Sequence, residues 1–227
     1  MESVVGNGCF RLVREMANIQ GRDVFVADLY VTPTWLDPGN TDPLLHFPKD
    51  ADQKDALIIP LWIPGHFLLS VMRPLQKEIF FLDSLYFRRA DGFSSQAYRE
   101  LLRGLAQQIV AGAWTEKTAL DLKDVPKQTH GNDCGVFMIM YAWYFAMDAC
   151  FDFGVDDMCL LRRWWCIVLL ENFGLEGYGR KFAHFTDEGK ATLRDNVPPV
   201  FRITRKRKLE SPMVSEDLIQ YPSLQPV

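Results

Sequence analysis

In the stretch VPKQTHGNDCGVFMIMYAWYF, residues 125–145, Cys134 stands where a polar loop turns into an apolar run. A helix should begin there. A cysteine in a first helical turn meets free backbone N–H groups and the positive end of the helix dipole, and both stabilise its thiolate. A thiolate nucleophile needs a base to take its proton and a carboxylate to orient that base. His66 opens the run HFLLSVMR and Asp83 closes the run EIFFLDS. If the turn PLQK between them centres on Leu75 and Gln76, antiparallel pairing brings His66 and Asp83 to the same edge, one pair of side chains apart. Gln128 offers an amide that, with the backbone N–H of Cys134, can donate to an oxyanion. The chemistry of such a set is acyl transfer through a thioester. Taken singly, each residue also has a plainer reading: a small hydrophobe at the base of a buried helix, a strand-end histidine, a turn aspartate, a loop glutamine. Cys150, Cys159 and Cys166 are read that way, as core thiols, and His46 and His184 as surface positions. The His130-x-x-x-Cys134 spacing lacks the further ligands that zinc requires, so neither metal nor cofactor is expected.

Three short runs rich in β-branched and aromatic residues, ALIIPLWI, HFLLSVMR and EIFFLDS, predict an antiparallel meander that positions His66 and Asp83. FSSQAYRELLRGLAQQIVAGA follows with Leu101, Leu102, Leu105, Ile109 and Val110 at helical spacing and Ser94 or Ser95 as cap, which predicts an amphipathic helix on the sheet. The run from Cys134 to Met147 is apolar nearly all round and predicts a buried central helix. A last helix is expected from Asp156 or Asp157 to Asn172, stopped by Gly174. VFVADLYV reads as a strand, residues 32–55 as a long loop, and no element is assigned before Val24. Strands and helices mix without a βαβ rhythm, so the class is α+β.

With 227 residues, of which 48% are hydrophobic and 13% aromatic, the chain can bury a substantial core. The net charge of −4 divides into +2 on residues 202–227 and −6 on the rest, an acidic globule with a basic tail. Bulk electrostatics therefore requires no nucleic-acid contact. Five cysteines without CxxC spacing and no signal-peptide pattern fit an intracellular compartment, and no apolar run is long enough to span a bilayer. The run TRKRK is read as a nuclear-import signal or as a solvated charge run, which places the chain in nucleus or cytoplasm.

The joint pattern of IIPLWIPGHF, IFFLDSL and QTHGNDCGVF, in that order, resembles the ubiquitin-like-protein-specific (SUMO) cysteine protease family, C-terminal catalytic domain, over roughly residues 56–172. DDMCLLRRWW is similar to the family's later Met and Arg-Arg helix. The resemblance implies a papain-like fold of the adenain and SUMO-protease type, with a short mixed or antiparallel sheet packed on a central helix that starts at the nucleophile. It implies a catalytic domain over 1–200, with 1–55 an abbreviated or atypical N-terminal part, and a flexible tail over 201–227. Carried onto this sequence, it makes Cys134 the nucleophile, His66 the general base, Asp83 its orienter and Gln128 an oxyanion donor. Trp62, Phe67, His130, Gly131 and Asp133 become substrate-binding candidates, Gly131 also letting the Gln128 loop bend back. Two departures stand out: Phe67 replaces the family's tunnel-roofing Trp, and His130 replaces its Asn. The implied reaction is cleavage after a Gly-Gly-type C-terminus of a ubiquitin-like modifier or its conjugates, by a monomer without cofactor. The alternatives are a transposon- or virus-type protease of the same fold with another substrate, and a catalytically weak module that binds a ubiquitin-like protein.

Overall fold

The computed structural model describes residues 1–172 and, beyond them, the backbone of residues 204 and 205. Its centre is a five-stranded mixed sheet in chain order: β1 (Val24–Val26), β2 (Ala56–Ile63), β3 (His66–Arg73), β4 (Glu78–Leu82) and β5 (Thr115–Thr118). The β2–β3 and β3–β4 pairs are antiparallel, and the outer pairs β1–β2 and β4–β5 are parallel. The expected meander is therefore the middle of the sheet, with a parallel strand added at each edge.

Two helical layers cover this sheet. Ile58, Leu69, Val71, Phe80 and Leu82 face α1 (Ser3–Ile19), α3 (Cys134–Ala146) and α4 (Met158–Asn172). Leu57, Ile59, Leu61, Leu68, Met72, Ile79 and Phe81 face α2 (Gln96–Ile109) and parts of the 27–51 segment. Burial on both faces is why β2 reads as a continuous apolar run instead of an alternation. Every residue of α3 is buried. Each large aliphatic side chain so enclosed contributes about 1.5–3 kcal/mol relative to exposure, which makes α3 the anchor of the first layer.

Two turns set the geometry that matters. Pro64 and Gly65 join β2 to β3, with Gly65 at φ 80°, a value that an L side chain rarely adopts, and the Ile63–His66 pair closes the ladder beside them. Between β3 and β4 the register pairs Arg73 with Glu78 and Leu69 with Leu82, so the turn does centre between Leu75 and Gln76. Continued by one pair, this register sets Asp83 opposite Leu68, one same-face neighbour from His66.

Some expectations change. Residues 3–19 form a helix where none was assigned; its buried stripe is Cys9, Leu12, Val13, Met16 and Ala17. The strand expected over 24–31 is only three residues long, and the polar segment TEKT forms β5. The last helix starts at Met158, because Val155–Asp157 make a 3-10 turn in which the Asp157 carboxylate accepts from the Gly154 N–H at 2.7 Å. Cys150, Cys159 and Cys166 are exposed, not core thiols: α4 buries Leu161, Trp164, Trp165 and Val168, and its cysteines lie on the other side. His46 is half-buried and accepts from the Trp35 indole at 3.2 Å. His184, Gly174 and the tail over 201–227 lie outside the described residues, except that the backbone of β7 (Thr204–Arg205) pairs antiparallel with β6 (Ala149–Cys150).

Candidate active site

The ends of three elements meet at one end of the central strands. His66 is the first residue after the Pro64–Gly65 turn, Asp83 the first after β4, and Cys134 the first of α3. His66 Nε2 lies 2.7 Å from Asp83 Oδ1. That leaves Nδ1 for the hydrogen bond the imidazole shares with the Cys134 thiol. Asp83 is fully buried. Its Oδ1 also accepts from the Leu85 N–H at 2.8 Å, and its Oδ2 accepts from the Ser94 hydroxyl.

Burial opposes charge on all three groups and is overruled on each. Desolvation would lower the His66 pKa, but hydrogen bonds and charge from Asp83 and Cys134 raise it to about 9. Desolvation would raise the Cys134 thiol, yet the His66 hydrogen bond, the Phe67 and Gly135 backbone N–H groups and the imidazolium charge hold it below its usual value. Asp83 is likewise held down, against its own burial, by His66, Ser94 and the Leu85 N–H. Both shifts favour passage of the thiol proton to the imidazole, the exchange that makes a cysteine a nucleophile.

The helix end helps. Asp133 precedes α3 but makes no side-chain cap to it. Its carboxylate pairs instead with Arg162 of α4 at 2.6 Å, and the same guanidinium donates to the Asn132 carbonyl at 2.6 Å. The Val136 N–H donates to the Asp133 carbonyl at 2.9 Å, so the Cys134 and Gly135 N–H groups remain for the sulfur and for whatever anion forms beside it.

Gln128 is buried. Its amide oxygen accepts from the Ser84 hydroxyl at 2.7 Å, its backbone N–H donates to the Ser84 carbonyl at 2.9 Å, and its Nε2 donates to the His130 carbonyl. Nε2 carries two hydrogens, so one N–H remains on an amide whose orientation is fixed. Ser84, directly after Asp83, thus ties the Gln128 loop to the end of β4. Trp62 and Phe67 are cross-strand partners beside His66; Trp62 is 41% exposed and Phe67 is half-buried. His130 and Gly131 are exposed. Gly131 has no positive φ and a Cβ there would meet open space, so the bend of this loop does not depend on glycine.

Two supports were not foreseen. Ser84 carries no sequence signal beyond its place after Asp83, and Ser94 reads only as a helix cap, a part Ser95 plays by accepting from the Tyr98 N–H at 3.3 Å. Among the described residues no group of three or more His, Cys, Asp or Glu could hold a metal. A cavity of about 380 Å³ lined by Arg73, Lys123, Tyr144, Phe145 and Phe151 lies at the opposite ends of β3 and α3 and shares no residue with this cluster.

Residues 42–168, more than half of the chain, match the Ulp1 protease family, C-terminal catalytic domain. The chain belongs to that family. It is by that membership a cysteine peptidase domain, and the convergence of His66, Asp83 and Cys134 lies inside the matched span. The chain is similar in fold to the Ulp1-like SUMO protease catalytic domain of Chaetomium thermophilum, with a TM-score of 0.63 and 23% identity over 78% of this chain and 74% of that one. It also resembles the C-terminal Ulp1 protease domain solved in complex with Smt3, the yeast ortholog of SUMO, with a TM-score of 0.59, 17% identity, and 75% and 76% coverage. Among curated proteins it is 31% identical to a sentrin-specific protease of Caenorhabditis elegans over 38% of this chain, and 23% identical to the putative ubiquitin-like-specific protease 1B of Arabidopsis thaliana over 48%. It spans only 12% and 32% of the lengths of those relatives.

Proposed function

We propose that the Ulp1-family chain hydrolyses the bond after a Gly-Gly-type C-terminus of a ubiquitin-like protein of the SUMO kind, as a precursor or as a conjugate. The observation that carries this reading is the single imidazole shared between buried Asp83 and Cys134 at the open N-terminus of α3.

The Cys134 thiolate attacks the carbonyl carbon, and the negative charge that develops on the carbonyl oxygen is met by the Cys134 backbone N–H and the free N–H of Gln128. The C–N bond breaks as the His66 imidazolium gives its proton to the leaving amine, which leaves a thioester on Cys134. His66, now neutral, takes a proton from water; the resulting hydroxide attacks the thioester, the carboxylic acid departs and the thiolate–imidazolium pair is restored. Asp83 keeps the ring oriented through both halves. Trp62 and Phe67 would line the path of the entering peptide, and a Gly-Gly tail, with no side chains, suits a narrow passage along them. Exposed His130 and Gly131 lie on the loop that the peptide would pass, and Asp133 acts through its Arg162 pair by holding that loop to α4. The names of the SUMO protease relatives support the substrate class.

The test is a panel of ubiquitin-like proteins carrying C-terminal electrophiles. A SUMO-type probe should give one covalent adduct, mapped by peptide mass to Cys134 and absent in Cys134→Ser. An adduct on exposed Cys150, Cys159 or Cys166, or none from any member, would overturn the proposal.

A further inference from the structure

We infer that Ser94 is a positioning residue for this site: its hydroxyl locks the second oxygen of Asp83, so that the start of α2 sets the alignment of the His66–Cys134 pair. The inference rests on the reading of Cys134 as the activated thiol.

Asp83 is fully buried, and a buried carboxylate must find partners for both oxygens. Oδ1 is met by His66 and the Leu85 N–H, which stand at the same end of the neighbouring strands β3 and β4. The hydrogen bond to Oδ2 comes from Ser94, eleven residues on and at the threshold of the opposite helical layer. Without it the carboxylate could pivot about its Oδ1 contacts, and the imidazole would pivot with it. Ser94 is itself held. The Arg99 guanidinium donates to the Asp91 carboxylate at 3.2 Å and to the Asp91 carbonyl at 3.0 Å. It also lies 5.4 Å from the Phe81 ring centre and 5.7 Å from that of Phe93, the residue before Ser94. Those two rings are 5.1 Å apart, so the 91–94 turn is clamped onto β4. Ser95 takes the cap of α2, which frees Ser94 to face the carboxylate. The two serines have separate tasks, one for the helix and one for the site.

Loss of the Ser94 hydroxyl should act in one direction by two routes. A carboxylate stripped of a donor is easier to protonate, and an imidazolium less well aligned stabilises the thiolate less; both move the acid limb of Cys134 reactivity toward neutral pH.

The experiment is the iodoacetamide alkylation rate of Cys134, mapped by mass against the other cysteines and followed from pH 5 to 9, in wild type, Ser94→Ala, Ser94→Thr, Ser95→Ala, Asp83→Asn and the Ser94→Ala, Asp83→Asn pair. Ser94→Ala should slow alkylation at pH 7 by about tenfold, the scale of one lost hydrogen bond to a charged group, and raise the acid limb. Ser94→Thr should restore both, Ser95→Ala should lower thermal stability without moving the limb, and Ser94→Ala should add nothing in the Asp83→Asn background. An unchanged limb in Ser94→Ala, or equal slowing in both backgrounds, overturns the role of Ser94 while leaving the site intact. A wild-type Cys134 that reacts no faster than an ordinary thiol overturns the reading of the site, and the role of Ser94 with it.

Discussion

Cys9 and Cys134 are both buried, at 1% and 8% exposure, and both lie on helices of the same layer. Their thiols are nevertheless displaced in opposite directions. Cys9 sits in the second turn of α1, facing the core; burial pushes its pKa up to about 12, with Cys166 adding to the rise. Cys134 suffers the same desolvation but has a histidine partner and two backbone N–H groups aimed at its sulfur, and it falls below its usual value. The difference teaches that enclosure does not make a thiol reactive. The helix end and the partner do, and the enclosure then strengthens what the partner supplies.

The largest expected effect comes from removing the partner. His66→Ala leaves Cys134 with burial and two N–H groups but no imidazolium, and so moves it toward the condition of Cys9. Turnover of a C-terminal Gly-Gly amide substrate should fall by about a hundred- to ten-thousand-fold, the usual span for a general acid–base group, and alkylation at pH 7 should slow steeply. Alkylation of Cys134 at the wild-type rate in this variant would mean that the helix end alone activates the thiol.

A smaller effect follows pH. The His66 pKa is raised to about 9, so the imidazolium to which the proposed mechanism gives the proton for the leaving amine is present at neutral pH and is lost as pH rises through about 9. The Cys134 pKa is lowered, so the thiolate forms below the pH at which an ordinary thiol ionises and is lost only on acidification. The profile of kcat/KM should therefore be a bell, with an alkaline limb near 9 and an acid limb below the range of a free cysteine. An alkaline limb near 6.5, where free imidazole titrates, would show that Asp83 and Cys134 do not hold the ring charged.

The same contrast explains what was legible in the sequence. The middle of the sheet and α3 could be read because their signals are local: runs of β-branched and aromatic residues, a turn whose centre fixes the register, and one long apolar segment. His66, Asp83 and Cys134 follow from those elements, since each is an element's end. Helix α1 carries a regular stripe of Cys9, Leu12, Val13, Met16 and Ala17, but its first turns hold Gly6, Asn7 and Gly8, poor helix formers, and no capping side chain. Packing overrides that propensity: a Cβ on Gly6 would lie 2.9 Å from Leu29 Cδ2, so the position that weakens the helix is what lets it settle on its neighbour. The strand TEKT has no apolar signal because it is an edge strand whose partner, β4, supplies the apolar side. Ser84 and Ser94 were unreadable in their roles because a serine hydroxyl has no pattern; its partner is known only once the turn has brought it there.

The smallest effect on chemistry should come from Cys9 itself. Its sulfur lies among apolar groups of α1 and the α3 layer, and its raised pKa keeps it a neutral thiol at every pH at which the chain would work. Cys9→Ser nearly preserves the volume but exchanges a weakly polar group for a hydroxyl that requires a strong partner in the same surroundings. Stability in urea should drop by about 1–3 kcal/mol, the scale of burying an unsatisfied hydroxyl. The alkylation rate of Cys134 should stay within about twofold of wild type, because Cys9 lies in the packed face of α1 and not in the His66–Asp83–Cys134 cluster. If stability holds while Cys134 slows, α1 bears on the reacting pair through more than its bulk, and the division between a structural thiol and a chemical one is not as sharp as their surroundings imply.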